Sequence, residues 1–554
     1  HGLIGRVRPE GTALIVEDVC VPPERIAEGA RDLQALLGEH GFLPGVAGHA
    51  SAGTLHFMLT PDFAKQEDLE RYESFMGKLV ELIVGKYDGS LKAEHGTGVN
   101  MAPYVEREWG AKATELMWRV KQLADPDGVL NPGVVLNRDP GVHLRNLKTT
   151  PAIEESASAC VECGFCEPVC PSRNLTTTPR QRIVLRREMA RQPAGSPVQK
   201  ALLEEFAYEA LDSCAADGSC QLACPVGIDT GKLVKELRAE RHTDRAERAA
   251  LATAKRWHTV ERASRAGLKL GGGLARRTKR GKGLPAPAPA ALPATGRQSA
   301  AAVYLPSCTN RIFGTTADGP KSGASVLISA RRPLVEAMVE VSRRAGLPVW
   351  IPADVAGSCC GLPFGSKGFG EAQAYKANAL VESLWRWSGE AELPVVIDAA
   401  SCTQSVAEPG DGVLYEENVE RLGKLEILDS VAWAHDRLLP KLEVTGKIGS
   451  ATVHPTCATR HMGLAPRLRA LTGALAEDVF VAPSATCCGF AGDRGITHPE
   501  LTGAATSDQA AELAGRSFDA HLSSNRTCEI GLSRATGEPY ESVVLLLERL
   551  TRSG

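Results

Sequence analysis

The stretch CVECGFCEPVCP, residues 160–171, is the most informative part of this chain for its fold and chemistry. Its cysteines, Cys160, Cys163, Cys166 and Cys170, have the spacing C-x2-C-x2-C-x3-C and are followed directly by Pro171. Three thiolates at intervals of three residues wrap one iron–sulfur cube, and the fourth serves the other cluster of a two-cluster module. Zinc sites use cysteine pairs with a longer spacer, so the spacing favours iron–sulfur ligation over a zinc knuckle or reactive thiols.

A second cysteine run varies this pattern. Cys214, Cys220 and Cys224 precede Pro225, and Asp217 stands where a cysteine would complete the spacing. A carboxylate is a harder and weaker ligand for iron than a thiolate. Three interpretations stay open: Asp217 ligates a labile iron, the cluster lacks that corner and is [3Fe–4S], or Asp217 only caps the following turn.

Crossed ligation divides the thiols of both runs between two clusters. The first cluster is expected to take Cys160, Cys163, Cys166 and Cys224. The second is expected to take Cys170, Cys214 and Cys220, with or without Asp217. Helices are expected between the runs, over 179–192 and 197–212. This arrangement resembles the α-helical ferredoxin module of respiratory dehydrogenases, which implies a relay for single electrons.

Composition narrows the class of protein. The 554 residues are 43% hydrophobic, enough for several cores, and the net charge of −3 gives little support to a nucleic-acid partner. No run of 18 apolar residues occurs, so no membrane span is expected. Sixteen cysteines spaced for metals indicate a reducing compartment, the bacterial cytosol. The basic stretch 238–280 is expected to be a solvated connector or a contact with a membrane surface or an acidic partner.

The first part of the chain mixes strands and helices. Helical periodicity covers 24–37 and 65–84, and residues 54–60 alternate as a strand. The chain starts at His1 and runs directly into a strand-like segment, so it is expected to be a fragment without its N-terminal part. Cys20 lies outside every cysteine set and is expected to be a small core residue.

Histidines and a glutamate in this part suit a divalent ion. GHASAGTLH, residues 48–56, contains His49 and His56, and AEHGTG, residues 93–98, contains Glu94 and His95. Two histidines and a carboxylate bind zinc or manganese and leave a position open for substrate. A 2-hydroxy acid chelates such an ion while a neighbouring base removes its hydroxyl proton. Buried histidines and a salt-bridged Glu–His pair are the alternative.

These motifs, with ADPDGVLNPGVVL at residues 124–136, resemble the C-terminal cap of vanillyl-alcohol-oxidase-type flavoproteins, within the D-2-hydroxyacid dehydrogenases. That family's first motif is usually GHxGDGNxH, so Ala52 and Thr54 are departures that leave both histidines in place. The resemblance implies a domain N-terminal to the cap that holds FAD. The site residues it implies are the metal ligands His49, His56 and Glu94, the proton acceptor His95, and Asn131 near the flavin ring.

Residues 301–554 contain one pattern twice, after a Pro/Ala-rich linker at 281–300. Each copy has a cysteine after a strand, then Cys-Cys-Gly, then a lone cysteine. The two sets are Cys308, Cys359, Cys360 and Cys402, and Cys457, Cys487, Cys488 and Cys528. Strands that run into cysteine-bearing loops predict an α/β sandwich with thiols at the strand ends.

The copies resemble the cysteine-rich CCG domains of heterodisulfide reductases and of the iron–sulfur subunits of glycolate and lactate oxidation. The family motif ends in C-x2-C, whereas Cys402 and Cys528 stand alone, leaving four thiols per repeat. Each repeat is therefore expected to hold at most one ordinary cubane, or a redox-active thiol site, or to be structural without a cluster.

The order of these parts resembles the fused FAD/iron–sulfur D-lactate dehydrogenases of bacteria. The expected fold is multidomain α+β and α/β. Its parts are a flavoprotein cap (1–139), an all-α two-cluster ferredoxin module (140–250), a basic helical connector with a Pro/Ala linker (251–300), and two α/β CCG repeats (301–430 and 431–554).

The resemblance implies FAD-dependent oxidation of a D-2-hydroxy acid, first of all D-lactate to pyruvate. His95 would take the hydroxyl proton, and electrons would leave singly through two ferredoxin-type clusters to a quinone or a cytochrome. The expected location is cytoplasmic, with peripheral contact to the inner face of the membrane as an option. Two other hypotheses remain: an electron-transfer subunit without substrate chemistry, and a zinc-rich scaffold.

Overall fold

The computed structural model describes residues 5, 7–275, 285–314 and 332–552, which fall into two compact units. The first unit spans His1–Cys163 and Val184–Gln199, and the second spans Gly164–Ile183 and Lys200–Gly554. The expectations for residues 276–284, at the end of the basic stretch and the start of the linker, lie outside the described residues.

An antiparallel sheet of order β1-β3-β2 organises the first unit. Its elements are β1 (Ile15–Cys20), α1 (Ile26–Glu39), β2 (Val46–His49), β3 (Thr54–Leu59) and α2 (Gln66–Val80). Val19 pairs with Leu55, and both lie in the core formed with α1 and α2. Asp18 pairs with His56 on the opposite face, because side chains alternate along a strand. The predicted helices over 24–37 and 65–84 and the strand over 54–60 are confirmed.

The remaining helices of the first unit are short except for one. They are α3 (Gly98–Met101), α4 (Val105–Ala124) and α5 (Glu155–Ser158), with single turns at Pro23–Arg25, Ala50–Ala52, Glu81–Lys86, Ala102–Tyr104 and Val142–Leu144. Cys20, the last residue of β1, is half-buried and donates from Sγ to the carbonyl oxygen of Ala52 at 3.3 Å. The expectation of a core cysteine is therefore wrong, because this strand end lies where the sheet meets a loop.

The cluster module is helical, as predicted. Its helices are α6 (Pro179–Arg191), α7 (Pro197–Phe206), α8 (Ser219–Ala223) and α9 (Thr230–Glu240), with Ala207–Asp212 continuing α7. Asp229 caps α9 by accepting from the Gly231 amide at 2.8 Å. This cap is typical of helix N-termini, where amides lack partners within the helix.

The basic connector forms α10 (Asp244–Lys255) and α11 (Trp257–Ala275). Ala250 and Ala254 of α10 pack with Phe364 of the first CCG repeat. Glu261 of α11 is buried and pairs with Arg311 of the same repeat. These helices therefore have an inner face in the protein interior, which an entirely solvated connector would lack.

Two four-stranded parallel sheets follow, and they share one topology. The first has the order β5-β4-β6-β7 and the second the order β11-β10-β8-β9. The strands are β4 (Ala302–Leu305), β5 (Val349–Trp350), β6 (Val395–Ile397), β7 (Ile427–Asp429), β8 (Ile448–Val453), β9 (Ala476–Phe480), β10 (Ala520–Ser523) and β11 (Tyr540–Ser542). In each sheet the first strand lies between the second and the third, so the internal repeat predicted from the cysteines is confirmed.

Continuous apolar runs form these strands because parallel strands are buried on both faces. Val395, Val396 and Ile397 of β6 are completely buried, and β4 is buried along its length. Helices cover both sheets. They are α12 (Cys308–Ile312), α13 (Leu334–Arg344), α14 (Leu362–Gly365), α15 (Gly370–Ser388), α16 (Ala400–Ala407), α17 (Glu416–Lys424), α18 (Ser430–Ala432), α19 (Cys457–His461), α20 (Ala465–Leu475), α21 (Arg494–Thr497), α22 (Pro499–Leu513), α23 (Arg526–Thr536) and α24 (Val543–Leu550), with single turns at Trp433–Leu438 and Leu439–Lys441.

Candidate functional site

The two histidines and the glutamate of the first unit converge. Nε2 of His49, at the end of β2, lies 3.3 Å from Oε1 of Glu94, and Nε2 of His56, on β3, lies 3.7 Å from Oε2 of Glu94. One ligand atom from each of the three residues lies within 4.8 Å of the others. Because His49 and Glu94 are exposed, this group is open to solvent on one side. A divalent ion with a free coordination position fits such a donor set.

Asp18 is a residue of this site that sequence reasoning missed. Its carboxylate is completely buried and accepts hydrogen bonds from the amides of Glu94 and His95, the latter at 3.0 Å. Its Oδ1 also lies 3.8 Å from Nδ1 of His95. The available signal was a pair of adjacent acidic residues inside the strand-like run IVEDV.

His56 belongs to two overlapping groups. Asp18, His56 and His95 also place one ligand atom each within 4.8 Å of one another. The rings of His56 and His95 stack with centroids 5.2 Å apart. Geometry alone therefore allows His95 to be either a ligand or the base beside the ion.

The loop that carries Glu94 and His95 is tied to β1. The backbone of Ser90 exchanges hydrogen bonds with Cys20, and Lys92 forms an ion pair with the buried Glu17. Burial lowers the pKa of Lys92 to about 8. These contacts fix the loop against the strand that carries Asp18.

Asn131 is exposed and has a left-handed backbone, with φ of 42°. The preceding turn is held by Asp125, which accepts from the amides of Val129 and Leu130 at 2.9 Å each. On α4, the side chains of Leu116, Val120 and Leu123 are mostly exposed. Asn131 therefore follows a helix that presents an apolar surface.

The first cysteine run lies at the boundary of the two units. Cys160 and Cys163 belong to the first unit, whereas Cys166 and Cys224 belong to the second. The carbonyl oxygen of Cys160 accepts from Arg187 at 2.9 Å and from Arg8 at 3.0 Å. Sequence reasoning did not single out these two arginines, which fix the start of the run.

The thiols expected at the second cluster share one cavity. Cys170, Cys214 and Cys220 line one small cavity, together with Arg182 and Asp217. Arg182 is almost completely buried and donates to Oγ of Ser172 at 2.6 Å, and that hydroxyl lies 3.1 Å from Sγ of Cys170.

Arg182 lies outside both cysteine runs, so sequence reasoning did not identify it. Burial disfavours its charged form, but the thiols of Cys214, Cys170 and Cys220 raise the pKa of Arg182 above its ordinary value. A buried cation beside three thiols offsets the negative charge of a thiolate-bound cluster, as buried charges require a partner. The donor set of this cavity therefore fits an iron–sulfur cluster.

Asp217 lines this cavity but also contacts a cysteine of the second CCG repeat. Its carboxylate accepts from the hydroxyl of Ser219 and from the thiol of Cys487 in the second CCG repeat. One oxygen of Asp217 and the sulfurs of Cys457 and Cys487 lie within 4.8 Å of one another. The structure thus connects Asp217 with a cysteine set other than its own.

The repeat thiols lie at the carboxyl ends of three neighbouring strands in each sheet. The first repeat forms a hydrogen-bonded series Cys308, Cys359, Cys360 and Cys402. The second forms the series Cys457, Cys487, Cys488 and Cys528, in which the last two sulfurs are 3.0 Å apart. The side chains of Ser307 and Thr456 cap the helices that begin at the first thiol of each series. Strand ends at a topological switch point are the usual binding edge of such sheets.

The glycine of each Cys-Cys-Gly motif is required by its surroundings. Gly361 and Gly489 have φ of 86° and 66°, and their amides donate to Sγ of Cys359 and Cys487 at 3.5 and 3.4 Å. A Cβ would lie 2.8 Å from the carbonyl oxygen of Gln373 in the first repeat, and 2.9 Å from that of Leu501 in the second. The motif therefore places an amide, and no side chain, against the sulfur.

Three family models match separate parts of the chain. They are FAD linked oxidases, C-terminal domain, over residues 2–135; 4Fe-4S dicluster domain, over 156–228; and Cysteine-rich domain, over 451–533. In this order the three matches are similar to the domain architecture of a fused FAD and iron–sulfur dehydrogenase. Its fold class, a cap, a helical two-cluster module and parallel α/β cysteine-rich repeats, is as predicted.

The chain is similar to several curated dehydrogenases. It is 26% identical over 282 residues to a D-2-hydroxyglutarate dehydrogenase of Haemophilus influenzae, covering 41% of this chain and 27% of that protein. It is 29% identical to the glycolate oxidase subunit GlcD of Bacillus subtilis, covering 24% of the chain and 28% of that protein. It is 30% identical to a mitochondrial D-lactate dehydrogenase [cytochrome] of Arabidopsis thaliana, covering 23% and 22%. The chain spans about a quarter of the length of these relatives.

These matches support FAD and iron–sulfur clusters as cofactors. Among the described residues, the structure contains no helix with the length and apolar character needed to cross a membrane.

Proposed function

We propose that this chain provides the substrate-side metal site and the electron relay for oxidation of a D-2-hydroxy acid. The observation that carries the proposal is the convergence of His49, His56 and Glu94 within 4.8 Å, with His95 beside them. A zinc or manganese ion held by the three ligands would bind the substrate hydroxyl and carboxylate and stabilise the developing alkoxide.

His95 takes the hydroxyl proton in this proposal. Asp18 holds the backbone amide and faces Nδ1 of His95, so it orients the ring and stabilises its protonated form. FAD, when bound, supplies the acceptor for the hydride. Asn131 lies on the exposed turn after α4, where we infer that the FAD-binding part of the enzyme covers the apolar surface of Leu116, Val120 and Leu123.

The cysteine sets form the relay in this proposal. A reduced flavin holds two electrons, whereas a cluster accepts one at a time, so two clusters allow the pair to leave singly. Cys160, Cys163, Cys166 and Cys224 would hold one cluster, and Cys170, Cys214 and Cys220 the other. The thiols of the first CCG repeat would hold a further cluster, and a quinone or a cytochrome would accept the electrons from a cytoplasmic enzyme.

D-lactate and D-2-hydroxyglutarate are the two substrates that this proposal favours. D-lactate follows from the resemblance of the domain order. D-2-hydroxyglutarate is favoured by four relatives of that name, whose matches cover 41% of the chain compared with 23% for the D-lactate dehydrogenase of Arabidopsis thaliana.

A substrate screen on the natural gene product, purified without oxygen, tests the function. Turnover of D-lactate, D-2-hydroxyglutarate and glycolate is measured with an artificial electron acceptor, and L-lactate is the control. We expect the D-acids to reduce the acceptor and His95→Ala to abolish the reduction while cluster spectra stay unchanged. His435→Ala is the matched control, because His435 is a half-exposed histidine 2.6 Å from an aspartate outside the site.

The same screen separates the alternative function. An electron-transfer subunit without substrate chemistry would oxidise none of the acids but would still pass electrons from an added reductant to the acceptor. Normal substrate reduction by His95→Ala would reject the role of His95 as base.

A further inference from the structure

The second CCG repeat and the cluster module meet in a group of metal-binding atoms. Asp217 stands between Cys214 and Cys220 in the sequence, but its carboxylate lies with the thiols of Cys457 and Cys487. One oxygen and both sulfurs are within 4.8 Å of one another. Cys457 opens α19 after β8, and Cys487 belongs to the Cys-Cys-Gly motif after β9.

We propose that Asp217, Cys457 and Cys487 bind a single divalent transition-metal ion, of the zinc class, which joins the cluster module to the second CCG repeat. This site is separate from the ferredoxin-type clusters and from the histidine site of the cap. It requires no hydroxy-acid chemistry and goes beyond the proposed function.

The grouping of one oxygen and two sulfurs is compatible with ligation of one ion. In a tetrahedral zinc site, metal–sulfur bonds of about 2.3 Å and metal–oxygen bonds of about 2.0 Å bring the ligand atoms within roughly 4 Å of one another. Thiolates that bind different irons of one cube lie farther apart, because the cube separates them. Cys457 and Cys487 are within hydrogen-bonding reach of each other, as one shared ion requires.

A fourth donor lies beside the group. His461 is four residues after Cys457, so both side chains lie on one face of α19. Its Nε2 is buried and has no hydrogen-bond partner among the described residues. Gly218, with φ of 74°, packs so closely that a Cβ there would lie 2.8 Å from this nitrogen. An unpartnered imidazole nitrogen next to Asp217 provides a candidate for the fourth coordination position.

Among its described residues, the first CCG repeat has no such group and carries a cation near its thiol pair instead. Lys376 donates from Nζ to the carbonyl oxygen of Gly357 at 2.7 Å, just before the Cys359–Cys360 pair. Lys376 is three residues after Gln373, whose carbonyl oxygen faces the motif glycine, and the corresponding position after Leu501 is Ala504. The second repeat therefore has a carboxylate beside its thiols and no lysine at the equivalent position.

Both repeats have an arginine near the first thiol, so the arginines do not cancel the difference in charge between the two repeats. Arg311 and Arg460 each follow the first thiol of their repeat by three residues. Arg460 donates to the carbonyl oxygen of Ala485 at 2.6 Å, whereas Asp217 has hydroxyl and thiol partners. A half-buried carboxylate next to ionisable thiols is more stable when a cation compensates its charge, and a bound metal ion supplies that charge.

Zinc content and zinc-edge X-ray absorption on the full chain, purified without oxygen and dialysed against zinc, test the site. We expect one zinc with two sulfur neighbours at about 2.3 Å and a shell of oxygen or nitrogen at about 2.0 Å. Asp217→Ala should lose one bound zinc per chain. Asp411→Ala, at a fully exposed aspartate, should lose none. Zinc at the cap has no sulfur neighbours and would lower the mean sulfur count, so brief EDTA treatment, which we expect to empty the open cap site, precedes the measurement.

Asp217→Cys distinguishes the site from the second ferredoxin-type cluster. A third thiolate at the ion should raise the mean number of sulfur neighbours of zinc from two to three and leave the electron paramagnetic resonance of the clusters unchanged. Conversion of a three-iron signal into a four-iron signal would overturn the proposal, since Asp217 would then be a ligand position of the cluster. Full zinc retention by Asp217→Ala, a Cys457–Cys487 disulfide, or an iron–sulfur cluster on these two thiols would also overturn it. None of these readouts depends on turnover.

Discussion

The candidate metal ligands of the cap and those of the CCG repeats differ most in their access to solvent. The side chains of His49 and Glu94 are 60% and 48% exposed, whereas Cys360 and Cys488 are 6% and 3% exposed. An open donor set leaves a coordination position for an exchanging substrate, and a closed one retains its metal. The difference is consistent with the proposed substrate chemistry at the cap and with electron transfer or structural binding at the repeats.

The type of sheet explains this difference in solvent access. One face of the antiparallel cap sheet carries the core residues Val19 and Leu55, and the other carries Asp18 and His56 and is free for a site. The parallel sheets of the repeats are covered by helices on both faces, so thiols at their strand ends are buried under the connecting segments.

Chelation should have the largest effect, because it should remove metal from the cap and leave the metal of the repeats in place. Brief treatment with EDTA should remove the ion at His49, His56 and Glu94 and abolish hydroxy-acid oxidation, because these ligands are reached by solvent. The iron and the thiol-bound metal should remain. Metal analysis and turnover before and after zinc or manganese is restored measure this, with calcium-saturated EDTA as the control. Full activity after loss of the ion would contradict the role of the cap site.

Asp18→Asn should have the next largest effect. The amide keeps the shape and one acceptor oxygen but loses the negative charge that faces His95. We expect kcat for the D-acid to fall by about 10²- to 10⁴-fold with little change in KM, the range for a positioned acid–base group. Asp139→Asn, at a partly exposed ion pair with Arg145, is the control. An unchanged kcat, or a loss confined to KM, would exclude a positioning role for Asp18.

Most candidate metal ligands of the cap and of the repeats could be predicted from the sequence, for a physical reason. The cysteine spacings and the histidine motifs are local, so the residues that bind one metal are named within short stretches. The α/β architecture of the repeats, with thiols at the strand ends, followed from strands that run into each cysteine. Asp18 approaches Glu94 only through pairing of the sheet and its loops, and Arg182 approaches Cys214 only through helix packing. Contacts of Asp217 with Cys457 and Cys487 likewise depend on how two domains meet, which no spacing encodes.

The buried ion pair of the first repeat provides the next test. Arg311 and Glu261 are each about 2% exposed, and Arg311 also donates to the carbonyl oxygen of Ser358 at 2.5 Å. Arg311→Ala leaves the Glu261 carboxylate buried and unpaired, which should lower the free energy of unfolding by about 3–5 kcal/mol. The exposed pair of Arg437 and Glu426 is the control, and Arg437→Ala should cost about 0–1 kcal/mol. Urea unfolding of the holo protein measures both, and equal effects would contradict the closed character of the repeat.

The smallest predicted effect is an acid sensitivity of the second repeat. Burial lowers the pKa of His454 to about 4, and its Nδ1 lies 2.9 Å from Oε1 of Gln509. A histidine of the unfolded chain titrates near 6.5, so between about pH 6.5 and 4 the unfolded state binds the proton and the folded state does not. Stability should therefore fall as the pH falls through this window, by at most about 3 kcal/mol from this residue. Urea unfolding between pH 7 and pH 4.5, followed on peptides of each repeat, should show a smaller pH dependence in His454→Gln. The half-exposed His435, changed to Gln, should leave the dependence as it is, and a slope unaffected by His454→Gln would show that acid acts elsewhere.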